Sequence, residues 1–259
     1  MVANKIYFSP TGGTKKVVDT MAYAWECEKK EIDLAIPHDE YDKVVIHEED
    51  VCMIAIPVFE GRVPKTIIPR LKQIKGNRAT AVLIAVYGAR AVDDALIELR
   101  DICVEQGFRC RAAVAAVAEH SIMKIYGKDR PNQEDCSKLI EFSKQIQDLY
   151  QKDALPECVE VMGKRPYIEM GGVPVKPSGN ENCTQCGICA SACPAEAISN
   201  EDFRVTDSEK CITCMRCVTL CPVHARDFDP ALIKMFQEKM RPAFAGERHN
   251  ELFISEAEN

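Results

Sequence analysis

The sequence lacks any uncharged apolar run long enough to cross a membrane. Its longest apolar stretch without a charged residue, Ala79–Ala89, has eleven residues, whereas a spanning helix needs about 20. The N-terminus also lacks the basic patch and apolar run of a signal peptide. We therefore expect no membrane insertion and a cytoplasmic location, where thiols are kept reduced.

Two nucleotide-binding signatures and a basic face are also absent. No G-x-x-x-x-G-K-[ST] occurs, which excludes a P-loop NTPase. No two glycines stand two residues apart, which excludes the G-x-G-x-x-G dinucleotide fingerprint. Residues 1–155 carry 22 Lys and Arg against 24 Asp and Glu, and residues 156–259 carry 11 against 16. We therefore expect no nucleic-acid partner.

The first 150 residues alternate strand-like and helix-like segments. Short runs that are apolar on both faces predict strands buried on both sides, as in parallel sheets covered by helices. The predicted strands are Ala3–Phe8, Lys30–Leu34, Val51–Ile56, Ala79–Val86 and Ala112–Ala118. The predicted helices are one directly after the first strand and those at Lys65–Lys75, Val92–Gln106 and Gln133–Tyr150. The fold class is therefore α/β, a doubly wound five-stranded parallel sheet, with its ligand beyond the carboxyl ends of the strands.

Eight of the fourteen cysteines form two runs with identical spacing. Cys183-x-x-Cys186-x-x-Cys189-x-x-x-Cys193-Pro194 recurs as Cys211-x-x-Cys214-x-x-Cys217-x-x-x-Cys221-Pro222, at an offset of 28 residues. In a reduced compartment such runs favour metal ligands over disulfides. A pair of zinc sites is the alternative, although zinc sites rarely use three evenly spaced cysteines plus a fourth, twice. The other six cysteines have no ligand spacing, and we interpret them as small core residues.

The two cysteine runs resemble the bacterial two-cluster ferredoxin over about 45 residues. The resemblance implies two [4Fe–4S] clusters in a small α+β domain, with the fourth cysteine of each run serving the other cluster. One cluster would take Cys183, Cys186, Cys189 and Cys221, and the other would take Cys211, Cys214, Cys217 and Cys193. One residue departs from the repeat: Arg226 stands where the first run has Ile198. We expect this edge to meet the other domain or solvent.

The turn after the first strand carries a possible phosphate site. Ser9-Pro10-Thr11-Gly12-Gly13-Thr14 joins the first strand to the first helix. Small residues at a helix N-terminus expose backbone N–H groups that suit a phosphate. By itself this signal is weak, because turns are rich in such residues.

This turn and the loops after the third and fourth strands, 57–64 and 87–94, resemble the three FMN-binding loops of the flavodoxin family. The resemblance implies a phosphate held by Ser9, Thr11, Gly12, Gly13 and Thr14. It places Pro57 at the start of the second loop and Phe59 and Tyr87 beside the isoalloxazine ring. It also places the backbone of Glu60 and Gly61 near flavin N5 and that of Gly88 and Ala89 at the pyrimidine end. Phe59 could equally be a core aromatic, and Arg62 and Arg90 could be surface charges.

The two halves in this order resemble the flavodoxin–ferredoxin fusion proteins of anaerobes. The predicted organisation is a flavodoxin-like domain at 1–151, a Pro/Gly-rich linker at 152–182, a ferredoxin domain at 183–228, and a helix and tail at 229–259. The linker and the Leu252–Ile254 tail are expected to hold the ferredoxin domain against the flavin side of the sheet. Arg226 and the 57–64 loop are the expected contacts.

This resemblance predicts an electron-transfer protein that uses FMN and two [4Fe–4S] clusters. The expected partners are redox proteins that serve as electron donor and acceptor. The alternative is a flavin-dependent reductase of a small molecule, fed by its own clusters, which an open pocket over the flavin would favour. A third, non-redox hypothesis is a metal-stabilised scaffold, which bound zinc would favour. No Ser-His-Asp or Cys-His arrangement stands out, so no separate catalytic residue is predicted.

Overall fold

The computed structural model describes residues 1–37 and 39–255. Within these residues the chain forms eight strands and seven α-helices. The strands are β1 (Val2–Tyr7), β2 (Glu28–Asp33), β3 (Val51–Pro57), β4 (Thr80–Tyr87), β5 (Arg109–Val117), β6 (Ser178–Gly179), β7 (Arg226–Asp227) and β8 (Glu251–Phe253). The helices are α1 (Gly13–Ala22), α2 (Ile68–Leu71), α3 (Ala95–Glu105), α4 (Gln133–Gln151), α5 (Ile188–Ser191), α6 (Arg216–Leu220) and α7 (Pro230–Met240).

The large sheet has the order β2-β1-β3-β4-β5-β8. Strands β1 to β5 are all parallel to their neighbours, which confirms the predicted doubly wound sheet with the flavodoxin-like order 2-1-3-4-5. The residues of β3 and β4 are buried on both faces, as their continuous apolar runs predict. By contrast, β2 lies at the edge and exposes its charged residues, which protects an unpaired strand edge from aggregation.

Helices cover both faces of this sheet. On one face α1 and α4 pack together, and the Trp25 indole N–H donates to Ser143 Oγ over 3.0 Å between them. On the other face α3 packs with its apolar residues against β4 and β5. The predicted helix at Lys65–Lys75 is shorter than expected: a 3₁₀ turn at Lys65–Ile67 leads into the four residues of α2.

The tail adds a sixth strand that the sequence pattern does not predict. β8 pairs antiparallel with Ala113–Ala115 of β5. Its side chains alternate between the two faces, since Leu252 packs on one core and Phe253 on the other. The expectation of a purely parallel five-stranded sheet is therefore corrected to a mixed sheet, whose outer edge beside β5 is covered by the tail. Residues 256–259 of the predicted tail segment lie outside the described residues.

The segment between α4 and the cysteine motifs lies along the α/β domain. The Val159 N–H donates to the Cys110 carbonyl over 2.7 Å, and Val159 is fully buried. The Arg62 guanidinium donates to the Ile168 carbonyl and stacks over the Tyr167 ring. These contacts hold the segment in place, although the domain limits at 151 and 182 stay predictions.

The cysteine-rich part repeats its backbone at the same 28-residue offset as its sequence. Left-handed φ angles occur in pairs at Gln185 and Thr213, at Gly187 and Met215, and at Glu196 and His224. The residues Gly187 and Met215 immediately precede α5 and α6. Strands β6 and β7 pair antiparallel and close this small domain. No helix in the described part of the chain is long and apolar enough to span a membrane.

Candidate cofactor sites

The loops after β1, β3, β4 and β5 meet at the carboxyl edge of the sheet and line one groove. The groove residues that belong to the predicted FMN set are Thr11, Gly13, Thr14, Pro57, Phe59, Tyr87 and Gly88. The groove lies at the switch point between β1 and β3, where ligands bind in open parallel sheets. The tertiary structure therefore brings together residues that are about 80 positions apart in the sequence.

The first loop has the features of an anion cradle. The first intrahelical hydrogen bond of α1 runs from the Lys16 N–H to the Gly12 carbonyl over 3.0 Å, so the amides before Lys16 have no intrahelical acceptor. Gly12 has φ +93°, and a Cβ built there would meet no atom within 4 Å, so the loop backbone faces open space. Ser9 is buried and accepts the Lys15 N–H over 2.8 Å, which fixes the loop.

The lysines beside this loop are engaged elsewhere. The Lys15 ammonium pairs with Asp19 over 2.7 Å, and the Lys16 ammonium donates to the Pro131 carbonyl. A phosphate at this loop would therefore be held by backbone amides and by the hydroxyls of residues such as Thr11 and Thr14.

The second and third loops are fixed by close backbone packing. Gly61 has φ +80°, and a Cβ there would lie 2.5 Å from the Asp93 carboxylate. A Cβ at Gly88 would lie 2.9 Å from His120. The two loops are also joined directly, because the Asp94 N–H donates to the Gly61 carbonyl over 2.9 Å. Glycine is required at both positions by neighbouring residues, whatever ligand binds.

The two aromatic residues of the predicted set differ in their environment. Phe59 is half-buried and makes an edge-to-face contact with Phe8 at 6.2 Å between ring centroids. Tyr87 is buried at the end of β4, and its hydroxyl donates to the His249 carbonyl over 3.3 Å. Burial raises the pKa of this phenol, and Glu251 raises it further. Both residues line the groove, and their roles beside a flavin ring stay predictions.

His120 also lines the groove, although no sequence motif predicted a role for it. Its Nδ1 accepts the backbone N–H groups of Ile122 and Met123, each over 3.1 Å, so the ring fixes the loop after β5. Burial lowers the pKa of the imidazole to about 4, and the nearby Arg90 charge acts in the same direction. The ring is therefore neutral near pH 7 and carries its proton on Nε2.

A larger cavity of about 400 Å³ adjoins the groove and shares Phe59, His120 and Ser121 with it. Three separate parts of the chain complete its wall, and sequence reasoning assigned none of their residues to the site. They are Val173 and Pro174 of the interdomain segment, Ile212 and Thr213 of the second cysteine motif, and Phe236 and Phe244 of the C-terminal segment. The only sequence signal for these residues was their position, because some are apolar residues beside the second cysteine motif and others lie on an amphipathic helix.

These residues fit FMN. The groove offers free helix-terminal amides and hydroxyls for a phosphate, and the adjoining cavity offers apolar walls for a planar ring. Ser9, Gly12, Gly61 and Ala89 do not line either space, and Glu60 lines only the larger cavity. Glu60 and Ala89 both have left-handed φ angles, which turn the backbone of their loops.

Three cysteines of the second motif line a common cavity with one cysteine of the first. Cys193, Cys211, Cys214 and Cys217 all line it, which is the crossed set that the ferredoxin resemblance implies. Backbone amides already point at motif sulfurs in both repeats: Ala197 N–H lies 3.3 Å from Cys193 Sγ, and Ala225 N–H lies 3.2 Å from Cys221 Sγ. Within the described residues, the eight motif cysteines form no disulfide.

Two arginines at these motifs carry buried atoms without partners. Within the described residues, three buried side-chain nitrogens make no hydrogen bond, and two of them are Arg216 Nε and Arg226 Nε. Arg216 lines the cavity of the second motif. Buried N–H donors normally have acceptors, so these two nitrogens favour an anionic group bearing acceptor sulfurs.

The sequence predicted that the edge at Arg226 meets the α/β domain or solvent, and this prediction is wrong. The Arg226 side chain is buried, and its guanidinium donates to the carbonyls of Pro177 and Phe203 and to the Thr206 hydroxyl. A guanidinium has five N–H donors in a planar fork, so it can join three separate segments where Ile198 in the first repeat cannot. The residue therefore stabilises the interior of the small domain.

The motif residues fit iron–sulfur clusters. Burial raises the pKa of the Cys214 thiol to about 12, so ligation to a metal such as iron would be needed to hold its thiolate form near pH 7. Within the described part of the chain, no group of three or more His, Cys, Asp or Glu converges as the ligands of a single metal ion do. A [4Fe–4S] cluster binds one thiolate at each of its four irons, so such convergence is not required.

Comparison with known proteins identifies the small domain. Residues 182–225 match a family model described as a 4Fe-4S dicluster domain. A stretch of 56 residues is 39% identical to NADH-quinone oxidoreductase subunit I of Cytophaga hutchinsonii. That match covers 21% of this chain and 32% of the relative, so the chain spans about a third of the relative's length.

Similar solved structures include two flavodoxins. The flavodoxin of Streptococcus pneumonia TIGR4 is 14% identical, with a TM-score of 0.40 over 57% of this chain and 99% of its own. Flavodoxin 1 of Bacillus cereus is 17% identical, with a TM-score of 0.41 over 57% of this chain and 98% of its own. The fold assignment rests on the strand order and not on these low scores.

Iron–sulfur domains are typical of electron-transfer proteins. The chain joins an α/β domain with the flavodoxin-like strand order to a segment, residues 182–225, that matches a 4Fe-4S dicluster domain.

Proposed function

We propose that this protein carries electrons between redox partners, using two [4Fe–4S] clusters and one FMN held in a single chain. When bound, each cluster accepts one electron, and FMN accepts electrons singly or in pairs. A chain that holds both can therefore exchange electrons with one-electron and two-electron partners.

One observation carries this proposal: the cavity beside the flavin loops is shared with the second cysteine motif. Phe59 and His120 line it from the α/β domain, and Ile212 and Thr213 line it from the loop between Cys211 and Cys214. Electron transfer requires short distances between centres. A shared cavity supports the second motif as the one next to the flavin, with the first motif farther away.

Direct contacts support a fixed arrangement of the two domains. Arg70 of α2 donates to the carbonyl of Pro194, the residue after Cys193, over 2.5 Å. Tyr126 donates to the Gln237 carbonyl of α7 over 2.9 Å, and its ring stacks on Phe244. Cys214 and Ile212 pack on the core of the α/β domain. These contacts fix the cysteine motif relative to the groove.

The residues that line the cavity beside the flavin loops favour an electron carrier over a reductase of a small molecule. The interdomain segment, the second cysteine motif and the C-terminal segment all border the cavity that a flavin ring would occupy. A reductase needs additional space for substrate above the ring.

The test begins with anaerobic reconstitution and chemical analysis. We expect about eight irons, eight inorganic sulfides and one FMN per chain. Zinc without labile sulfide would instead favour the scaffold hypothesis.

The second step is kinetic. The clusters are reduced rapidly with a low-potential donor, and flavin absorbance is followed at several protein concentrations. Contact between the domains predicts a flavin rate that does not depend on protein concentration. A rate proportional to concentration, or a flavin that stays oxidised, would contradict the single electron path.

A further inference from the structure

Arg226 is the largest charged side chain in the interior of the small domain. It is 2% exposed. Its Nη2 donates to the Pro177 carbonyl over 3.1 Å, and its other bonds reach Phe203 and Thr206. All three acceptors are neutral oxygen atoms, so they orient the guanidinium without neutralising its charge.

This charge lacks an acidic partner. Within the described residues, no carboxylate forms an ion pair with Arg226, although other arginines of the chain do have such partners, as Arg62 has in Glu98. The Nε–H of Arg226 is buried and has no hydrogen-bond acceptor within the described residues. Burial of a charge without an ionic partner is unfavourable, so an anionic group at this place would stabilise the folded protein.

The nearest anionic groups would be cluster thiolates from both motifs. The Phe203 carbonyl that accepts from Arg226 also lies 3.9 Å from Cys189 Sγ. The other two acceptors of Arg226, Pro177 and Thr206, line the cavity that contains Cys217. Cys189 belongs to the first predicted ligand set and Cys217 to the second. The side chain therefore stands where one positive charge acts on both clusters.

We propose that Arg226 is a shared tuning residue that raises the reduction potentials of both clusters. The inference rests on the proposed function, because it requires the clusters to be present. Each cluster becomes more negative by one charge when it accepts an electron from an external reductant. Arginine stays protonated throughout, so it stabilises the reduced cluster more than the oxidised one. Net charge and hydrogen bonds to sulfur are among the factors that set such potentials.

The test compares Arg226→Met, which removes the charge, with Arg226→Lys, which keeps it. Arg204→Met is the matched control, because Arg204 lies in the same domain but is exposed and paired with Asp202. Each purified, cluster-loaded protein is titrated with reductant at fixed pH, and the fraction of reduced cluster is followed by paramagnetic resonance.

We expect Arg226→Met to reduce the ratio of reduced to oxidised cluster about tenfold at a given potential, which is a fall of about 59 mV for a one-electron couple. Both clusters should shift, Arg226→Lys should restore most of the difference, and Arg204→Met should match the wild type. Unchanged potentials in Arg226→Met would overturn the proposal, as would an equal shift in Arg204→Met.

The outcomes separate this inference from the proposed function. A wild-type protein without iron and labile sulfide overturns both. If the wild type holds its clusters but the potentials do not change in Arg226→Met, only the role of Arg226 is overturned. If Arg226→Met does not retain its clusters, Arg226→Lys tests whether the charge sets the potentials. Lysine preserves the positive charge but lacks the planar guanidinium. Potentials near those of the wild type in Arg226→Lys support a charge effect, and potentials that shift with cluster content retained overturn it.

Discussion

The carboxylate of Asp94 accepts the backbone N–H of Ile168 over 2.7 Å. The same carboxylate accepts the Lys164 N–H over 2.9 Å, so one buried side chain holds two turns of the interdomain segment. Asp94 also ends the loop after β4, and its own N–H donates to Gly61. A single residue thus connects both predicted flavin loops to the segment that leads to the cysteine motifs.

Replacement of Asp94 by Asn should destabilise this connection. An amide is a weaker acceptor than a carboxylate, and its NH₂ group cannot replace the lost acceptor oxygen. We expect a loss of about 1.5–3 kcal/mol in the free energy of unfolding, measured by urea titration of the loaded protein. Asp42→Asn, at an exposed position, is the control and should have little effect. Equal losses in both variants would show that Asp94 has no special role.

The crossed ligand sets predict opposite effects from two similar substitutions. Cys193 shares its cavity with Cys211, Cys214 and Cys217. Cys193→Ala should therefore damage the cluster of the second motif, whereas Cys221→Ala should damage that of the first. Paramagnetic spectra of the reduced variants distinguish the two clusters, and Cys27→Ala, outside both motifs, should leave both intact. If each substitution instead affects the cluster of its own motif, the crossed assignment is wrong.

The phosphate loop predicts a difference between FMN and riboflavin. Thr14 is buried at the start of α1 and lines the groove. Thr14→Val preserves the shape and removes the hydroxyl, so FMN binding should weaken by about 1.5–3 kcal/mol, as expected for a hydrogen bond to a charged group. Riboflavin lacks the phosphate, and its affinity should hardly change. Thr20→Val, which removes a hydroxyl bonded only within α1 and its neighbours, is the control. Equal weakening of both ligands by Thr14→Val would place the phosphate elsewhere.

His120 predicts a specific pH dependence of stability. The pKa of its imidazole is about 4 in the folded protein, below the ordinary value of 6.5, chiefly because of burial. Between these two values the unfolded chain binds the additional proton. The contribution of His120 is therefore complete above pH 6.5 and is lost as the pH falls toward 4, by up to about 3 kcal/mol.

His120→Asn removes the titration while leaving a side-chain acceptor near the Nδ1 position. The free energy of unfolding of this variant should fall less steeply than that of the wild type between pH 6.5 and 4. Urea titrations at several pH values in this window measure the difference. Parallel slopes for the two proteins would mean that the imidazole is not held in its neutral form.

The sequence by itself determined the parts of the protein that depend on local pattern. The runs of β3 and β4 are apolar on both faces, which is typical of strands inside a covered parallel sheet. The cysteine spacing repeats at 28 residues, and the backbone repeats with it, because the conformation of each turn depends mainly on its own residues. The helix predicted within residues 229–259 forms as α7, where Asp229 caps the helix and a proline occupies its first turn.

Only the tertiary structure decided where these parts meet. The Leu252–Phe253 strand pairs with β5 because an open sheet edge accepts any extended segment that alternates correctly, and no local signal names its partner. The prediction that the edge at Arg226 meets the other domain or solvent failed because the acceptors of Arg226, at positions 177, 203 and 206, come from separate turns that the fold alone brings together. The wall of the cavity beside Phe59 likewise joins residues 173, 212 and 244. Local pattern fixes the conformation of each segment, whereas these long-range contacts arise only when complete surfaces pack against one another.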